Sequence, residues 1–243
     1  MKYVDFEYKD KTQRIIYNTD ENSINNVLNE VFVEECYKKG LDWIGKIKNP
    51  VVLDVGAFIG DTALYFSQHK GIKLHCLEPC KNNLDCLLEN VEYIPNIKIY
   101  NVGLASNNRK DMLDEGDDIG SGGESIYSHK NKSEEINLMG IEYFMNKFKI
   151  KHIDLMKIDV EGAEYEIFGS EGFSKVNKNI DAIIGETHLT PALPIIAKIM
   201  LEHYGYKFEW LPYNNLHYGW HGNIGYWHKN FDVDIPTLFF AHR

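Results

Sequence analysis

VVLDVGAFIGD, residues 51–61, is an apolar run carrying Asp54, followed by Gly56, Gly60 and Asp61 at the opening of an amphipathic stretch. Glycine lets a backbone turn tightly and approach a ligand, and the helix N-terminus that follows offers N–H groups to a negative group. The Gly-x-x-x-Gly spacing departs from the pyrophosphate fingerprint, and Asp61 in the first helical turn would repel a diphosphate. A ligand carboxylate, such as that of a methionine group, suits the loop better. Asp54, Gly56, Ala57, Gly60, Asp61 and Thr62 are the candidate cofactor residues of this element.

Outward from the loop, short apolar runs alternate with amphipathic stretches, the pattern of parallel strands joined by crossover helices. Strands are expected at 51–55, 73–77, 97–103, 153–158 and 182–185, with helices starting near Asp61, Lys81, Ile141, Ala163 and Pro191. Residues 206–211 and 237–242 read as strands without a helix between them, which implies an antiparallel pair. The fold class is therefore α/β, a Rossmann-like and mostly parallel sheet with an antiparallel end and helices on both faces. Residues 1–50 read as a preamble: strand-like runs at 3–8 and 14–17, then one helix from about Ser23 to Gly40, with Asp20, Asn22 and Ser23 as cap candidates. Residues 51–243 form the expected main domain, interrupted at about 106–137 by a polar, glycine-rich insertion too long for an ordinary connection.

At 243 residues the chain is long enough for one α/β domain with a substantial core. Its formal net charge of −10 disfavours nonspecific duplex binding, which draws its affinity from phosphate neutralisation. No nucleic-acid partner is expected. The opening residues alternate charged and apolar types without the apolar stretch of a signal peptide or membrane span, so a soluble, cytoplasmic protein is expected. Cys36, Cys76, Cys80 and Cys86 match neither a zinc-knuckle nor a disulfide pattern and read as reduced thiols.

Three further elements carry chemistry. Glu78, eighteen residues beyond Gly60 in Leu77-Glu78-Pro79, is placed to accept both ribose hydroxyls of an adenosine cofactor, and Asn101 joins the cofactor set. KIDVEGAE, residues 157–164, delivers Asp159 and Glu161 to the carboxyl edge of the sheet, where open α/β sheets bind ligands. Glu164 falls in the following first helical turn, where it is expected to complement the helix dipole. GETH, residues 185–188, sends Glu186 and His188 to the same side of an extended chain. At 213–228, Trp220, His221 and Trp227 suit stacking on a sugar or planar acceptor, whereas His217, His221 and His228 lack the spacing of a metal site.

DVGAFIGD, LEP, KIDVEGAE and GETH, in this order and spacing, resemble the FkbM-type methyltransferases, a branch of the class I S-adenosylmethionine-dependent enzymes. The resemblance spans about residues 51–188 plus the terminal strand pair. It implies a seven-stranded sheet with a reversed last strand, S-adenosylmethionine as cofactor, and O-methylation of a sugar, glycan, polyketide or similar secondary metabolite. On the same ground Asp54, Gly56, Gly60 and Glu78 would contact the cofactor, while Asp159, Glu161, Glu186 and His188 would line the acceptor pocket; Asp159 is counted with the cofactor residues as well. Two mechanisms are expected to compete. In one, His188 is the base, oriented by Glu186, with Asp159 holding the acceptor. In the other, the same residues ligate a divalent cation that acidifies the acceptor hydroxyl. An NAD-dependent oxidoreductase would require a pyrophosphate loop, and a binding module without catalysis would not need acids and a histidine at the sheet edge.

Overall fold

The structure, a computed structural model, describes residues 1–114, 124–127, 132–188, 193–211 and 238–243. Strands β1 (Lys2–Tyr8) and β2 (Lys11–Tyr17) form an antiparallel hairpin. Helix α1 (Glu21–Leu28) starts at Asp20, whose carboxylate accepts the Asn22 and Ser23 N–H groups and so satisfies two donors that the helix leaves open. The single helix expected over 23–40 is divided. α1 runs into a π-helical turn, Asn29–Val33, the chain breaks at Glu35 (φ 49°), and α2 (Lys38–Ile44) begins anew. Glu35 accepts the Tyr8 and Tyr65 hydroxyls at 2.9 and 3.3 Å, tertiary ties at the break that helical periodicity does not record.

From there the chain follows strands and helices in alternation: β3 (Val51–Val55), α3 (Asp61–Phe66), β4 (Lys73–Leu77), α4 (Lys81–Asn90) and β5 (Ile97–Tyr100). Next come three short-sheet strands, β6 (Gly103–Ala105), β7 (Arg109–Asp114) and β8 (Lys132–Gly140), followed by α5 (Ile141–Phe148). The remainder comprises β9 (Leu155–Ile158), α6 (Glu164–Phe168), α7 (Glu171–Val176), β10 (Ala182–Glu186), α8 (Leu193–His203), β11 (Lys207–Trp210) and β12 (Leu238–His242).

The central sheet has seven strands in the order β11-β12-β10-β9-β3-β4-β5. β12 runs antiparallel to both neighbours, so the expected mostly parallel α/β sheet with a reversed last strand is what the chain forms. Period-two alternation divides its side chains between two cores. Leu53, Val55, Met156 and Ile158 pack with α5, α6, α7 and α8, whereas Val52, Leu74, Leu155 and Ile184 pack with α3, α4 and the N-terminal elements. Ile15, Tyr17, Ile24 and Phe32 belong to that second core, so residues 1–50 lie directly against the sheet. The four cysteines are free thiols, three of them buried.

Two expectations differ in detail. The strand expected over 97–103 ends at Tyr100, because a Val102 N–H to Tyr100 carbonyl bond of 2.9 Å tightens a turn and the chain leaves the sheet. The stretch read as an insertion then forms a second sheet with the residues just before it: β7 lies antiparallel to β8, and β6 parallel to it. Residues 115–123 within it, and the aromatic stretch at 213–228, lie outside the described residues. No helix among the described residues is long and apolar enough to cross a membrane.

Strand order steps from β3 outward to β5, then returns to β9 on the other side of β3. β3 and β9 thus flank the point where the winding reverses, and a crevice opens there beyond the strands' carboxyl ends. Gly56 follows β3 and Asp159 follows β9.

Candidate active site

The loop after β3 is shaped by two glycines in left-handed conformation, Gly56 (φ 78°) and Gly60 (φ 93°). A Cβ at Gly56 would sit 1.9 Å from the carbonyl oxygen of Asp159, so the two strand ends approach each other only because this residue has no side chain. A Cβ at Gly60 would meet the Leu87 and Val91 side chains at 2.8 and 3.0 Å, so this glycine also lets α4 pack close. Gly56 and Ala57 donate their N–H groups to the Leu77 carbonyl at 3.1 and 2.9 Å, which ties the loop to the end of β4.

Glu78, just past β4, is buried and accepts the Phe58 N–H at one oxygen and the Cys80 N–H at the other, both at 2.9 Å. Burial, followed by the nearby Glu124 carboxylate, pushes its pKa up to about 8. Asn101 braces this turn by donating to the Glu78 and Pro79 carbonyls at 3.0 and 2.9 Å. Thr62 donates to Asp54 at 2.7 Å, joining the start of α3 to β3. Asp61 is buried, its pKa pushed up to about 7 by desolvation, and its Oδ1 has no hydrogen-bond partner.

A buried lysine connects the loop to the opposite side of the crevice. Lys157 stands opposite Asp54 in the β3–β9 register, so both side chains emerge on one face. Its ammonium donates to the Gly56 carbonyl at 2.7 Å and lies 3.5 Å from Asp54 and 3.7 Å from Asp159 Oδ2. Burial alone would lower its pKa, but Asp54, Asp159 and Asp61 outweigh that and keep it charged. Tyr37, buried just before α2, donates its hydroxyl to the same Asp159 oxygen at 3.3 Å. Its ring lies 5.7 Å from the Lys157 ammonium. The sequence reading missed both residues. Lys157 had a signal, being a cation within the apolar run of a central strand, a place where charge is out of character. Tyr37 had none, since 122 positions separate it from Asp159.

The acceptor-side residues come together around His188, which is 6% exposed. Its Nε2 lies 3.5 Å from Glu161 Oε1, 3.6 Å from Asp159 Oδ1 and 4.0 Å from Glu186 Oε2. The carboxylate that grips the ring is a different one: Glu164 Oε1 takes the Nδ1–H at 2.8 Å and also accepts the Val160 N–H at 3.2 Å. The orienting role expected of Glu186 thus falls to Glu164, which is fully buried and does more than complement a helix end. β10 ends at Glu186, so strand alternation no longer governs His188, and the ring turns toward α6. Tyr165 fixes the backbone there by donating to the His188 carbonyl at 2.8 Å. Ser125 Oγ donates to the Glu161 carbonyl at 2.6 Å, bringing the 106–137 stretch to the site. Burial alone would lower the imidazole pKa, but Glu161, Glu164 and Asp159 outweigh it and hold His188 well above its ordinary value. Desolvation raises both Glu161 and Glu186.

A seven-stranded sheet of this order, with a glycine loop after its first central strand and a buried acid after the next, defines a class I S-adenosylmethionine-dependent methyltransferase. The chain belongs to the FkbM family: the methyltransferase FkbM domain matches residues 54–208. Among solved structures, precorrin-6y C5,15-methyltransferase from Geobacter metallireducens is similar at a TM-score of 0.51 and 14% identity, over 86% of this chain and 87% of that one. Aeropyrum pernix fibrillarin, solved with S-adenosyl-L-methionine, gives 0.46 at 11% identity over 87% and 74% of the two chains. A SAM-dependent methyltransferase from Aquifex aeolicus gives 0.44 at 13% identity over 93% and 97%. No curated protein matches the sequence.

The residues fit the cofactor S-adenosylmethionine. Each Glu78 oxygen uses one acceptor site on the backbone and has a second lone pair of the kind a ribose hydroxyl requires. The unpartnered Asp61 Oδ1 is an acceptor of the kind that the ligand's α-ammonium requires. Glu78→Ala is accordingly expected to weaken S-adenosylhomocysteine binding by about 1 kcal/mol or more, the scale of losing a hydrogen-bond acceptor. Calorimetry checks this, and unchanged affinity in the folded variant removes Glu78 from the ribose role.

Proposed function

We propose that this chain transfers the methyl group of S-adenosylmethionine to a hydroxyl oxygen of a small-molecule or glycan acceptor, such as a sugar or secondary metabolite. The observation that carries this reading is the cluster of His188 Nε2 with the Asp159, Glu161 and Glu186 carboxylates, all within 4.0 Å of that nitrogen. A hydroxyl must shed its proton as it is methylated, and the three carboxylates offer acceptors beside the strand end that the cofactor loop adjoins.

The cofactor supplies an electrophilic methyl on a sulfonium. The chain's task is to hold the acceptor oxygen about 3 Å from it, in line, and positioning of this kind accounts for much of the rate. Asp159 is suited to couple the two halves: one of its oxygens meets Tyr37 and Lys157 on the cofactor side, and the other faces His188. Glu164 fixes the ring so that Nε2 points at the acceptor side. The acid-lined crevice and the net charge of −10 repel a phosphate backbone, which supports a small or glycan acceptor over a nucleic acid.

The test is a product assay with methyl-labelled S-adenosylmethionine and a panel of hydroxylated sugars, glycans and polyketides, read by carbon NMR of the purified product. A labelled methyl bonded to oxygen is the expected result. Transfer to nitrogen or carbon instead would overturn the oxygen assignment while leaving the methyltransferase class intact.

A further inference from the structure

We infer that Asp159, Glu161 and His188 form a divalent-cation site, with Glu164 as the carboxylate that orients its imidazole ligand. Asp159 Oδ1, Glu161 Oε1 and His188 Nε2 come from the ends of two adjacent parallel strands, and the three residues can bring one donor atom each within 4.8 Å of one another. The nitrogen-to-oxygen separations of 3.5 and 3.6 Å are longer than the about 2.7–2.9 Å of a charge-assisted hydrogen bond. They are close to the separations of donors that share one ion: two bonds of about 2.1 Å place their donors about 3.0 Å apart at a right angle and about 3.5 Å apart at about 110°.

The second observation concerns the other side of the imidazole. A metal-ligating histidine characteristically donates its other ring N–H to a carboxylate, which fixes both tautomer and orientation. His188 does so to Glu164 at 2.8 Å, and that bond turns Nε2 toward Asp159 and Glu161. Glu164 is itself held from behind by the Val160 N–H, and Glu161 by Ser125 Oγ on its carbonyl, so ligand and orienting residue are both braced. Glu186, 4.0 Å from Nε2, adds a further negative group beside the site. The two carboxylates suit a hard dication such as Mn²⁺, and the imidazole extends the set to a borderline one such as Zn²⁺. If the acceptor is a hydroxyl, as proposed above, an ion here would bind its oxygen and lower its pKa. The ion site itself does not depend on that reading.

The experiment is Mn²⁺ binding to the chelator-treated full chain, followed by electron paramagnetic resonance, with and without S-adenosylhomocysteine. One ion per chain is expected. Glu161→Gln and Asp159→Asn should each weaken it about tenfold or more, and Glu164→Gln by about 10- to 100-fold, the range for residues that orient a ligand. Glu161→Gln and Glu164→Gln should keep S-adenosylhomocysteine binding, which shows that they are folded. A second cluster, His152, Asp154 and Asp181, sits at the opposite end of the sheet, and Asp181→Asn should leave the ion's affinity unchanged. Absence of stoichiometric Mn²⁺, or binding that survives Glu161→Gln and Asp159→Asn but is lost in Asp181→Asn, overturns the site. Because the readout needs no acceptor, these outcomes are separate from those of the product assay.

Discussion

His188→Ala is expected to lower turnover by about 100-fold or more while leaving S-adenosylhomocysteine affinity nearly intact, the size of lost proton-transfer assistance. The separation of the two readouts follows from position. His188 lies beyond β10, gripped by Glu164 and facing Glu161 and Asp159, whereas Gly56, Asp61 and Glu78 follow β3 and β4. Single-turnover kinetics beside calorimetry would measure both quantities on the same preparation. Recovery of the lost activity by excess Mg²⁺ or Mn²⁺ would show weakened ion ligation, and failure to recover would point to a missing base. Turnover equal to that of the parent would remove His188 from the chemistry and leave it a hydrogen-bonded strand-end histidine.

Gly56→Ala is expected to abolish measurable cofactor binding and to lower the melting temperature. Its Cβ would lie 1.9 Å from the Asp159 carbonyl oxygen, and its φ of 78° is one that side chains rarely adopt. A carbonyl at a strand end cannot swing aside as a side-chain tip can, so relief requires β3 and β9 to separate at the point where the proposed cofactor loop leaves the sheet. Gly60→Ala provides the comparison. There the neighbours are the Leu87 and Val91 side chains at 2.8 and 3.0 Å, which can repack, so the effect should be smaller despite the similar φ of 93°. Equal cofactor affinity in the two variants would show that the contact between strand ends does not matter to the site.

The elements that the sequence made legible are those whose signal is local. β3 and β4 begin and end where their apolar runs do, and the glycine loop, Glu78, KIDVEGAE and GETH all stand at the carboxyl ends of strands. The antiparallel closing pair was equally readable, because two strand patterns without a helical pattern between them favour antiparallel pairing. Where the reading fell short, the missing information was a distance between residues remote in the chain. The break at Glu35 coincides with bonds from Tyr8 and Tyr65, and the early end of β5 goes with a turn that starts a second sheet.

The same division runs through the site. Residue types and spacing by themselves determined that this chain would wind into a mostly parallel sheet, present acids and a histidine along its carboxyl edge, and use an adenosyl cofactor. Strand periodicity and turn chemistry are properties of neighbouring residues, so they survive in the linear order. Only the tertiary structure decided that Glu164 rather than Glu186 holds His188, that Lys157 bridges Asp54 to Asp159, and that Tyr37 reaches Asp159 from the N-terminal segment. Those partnerships depend on which strand ends adjoin where the winding reverses and on how the helices pack beside them, and hydrogen bonding acts over about 3 Å of space whatever the separation along the chain.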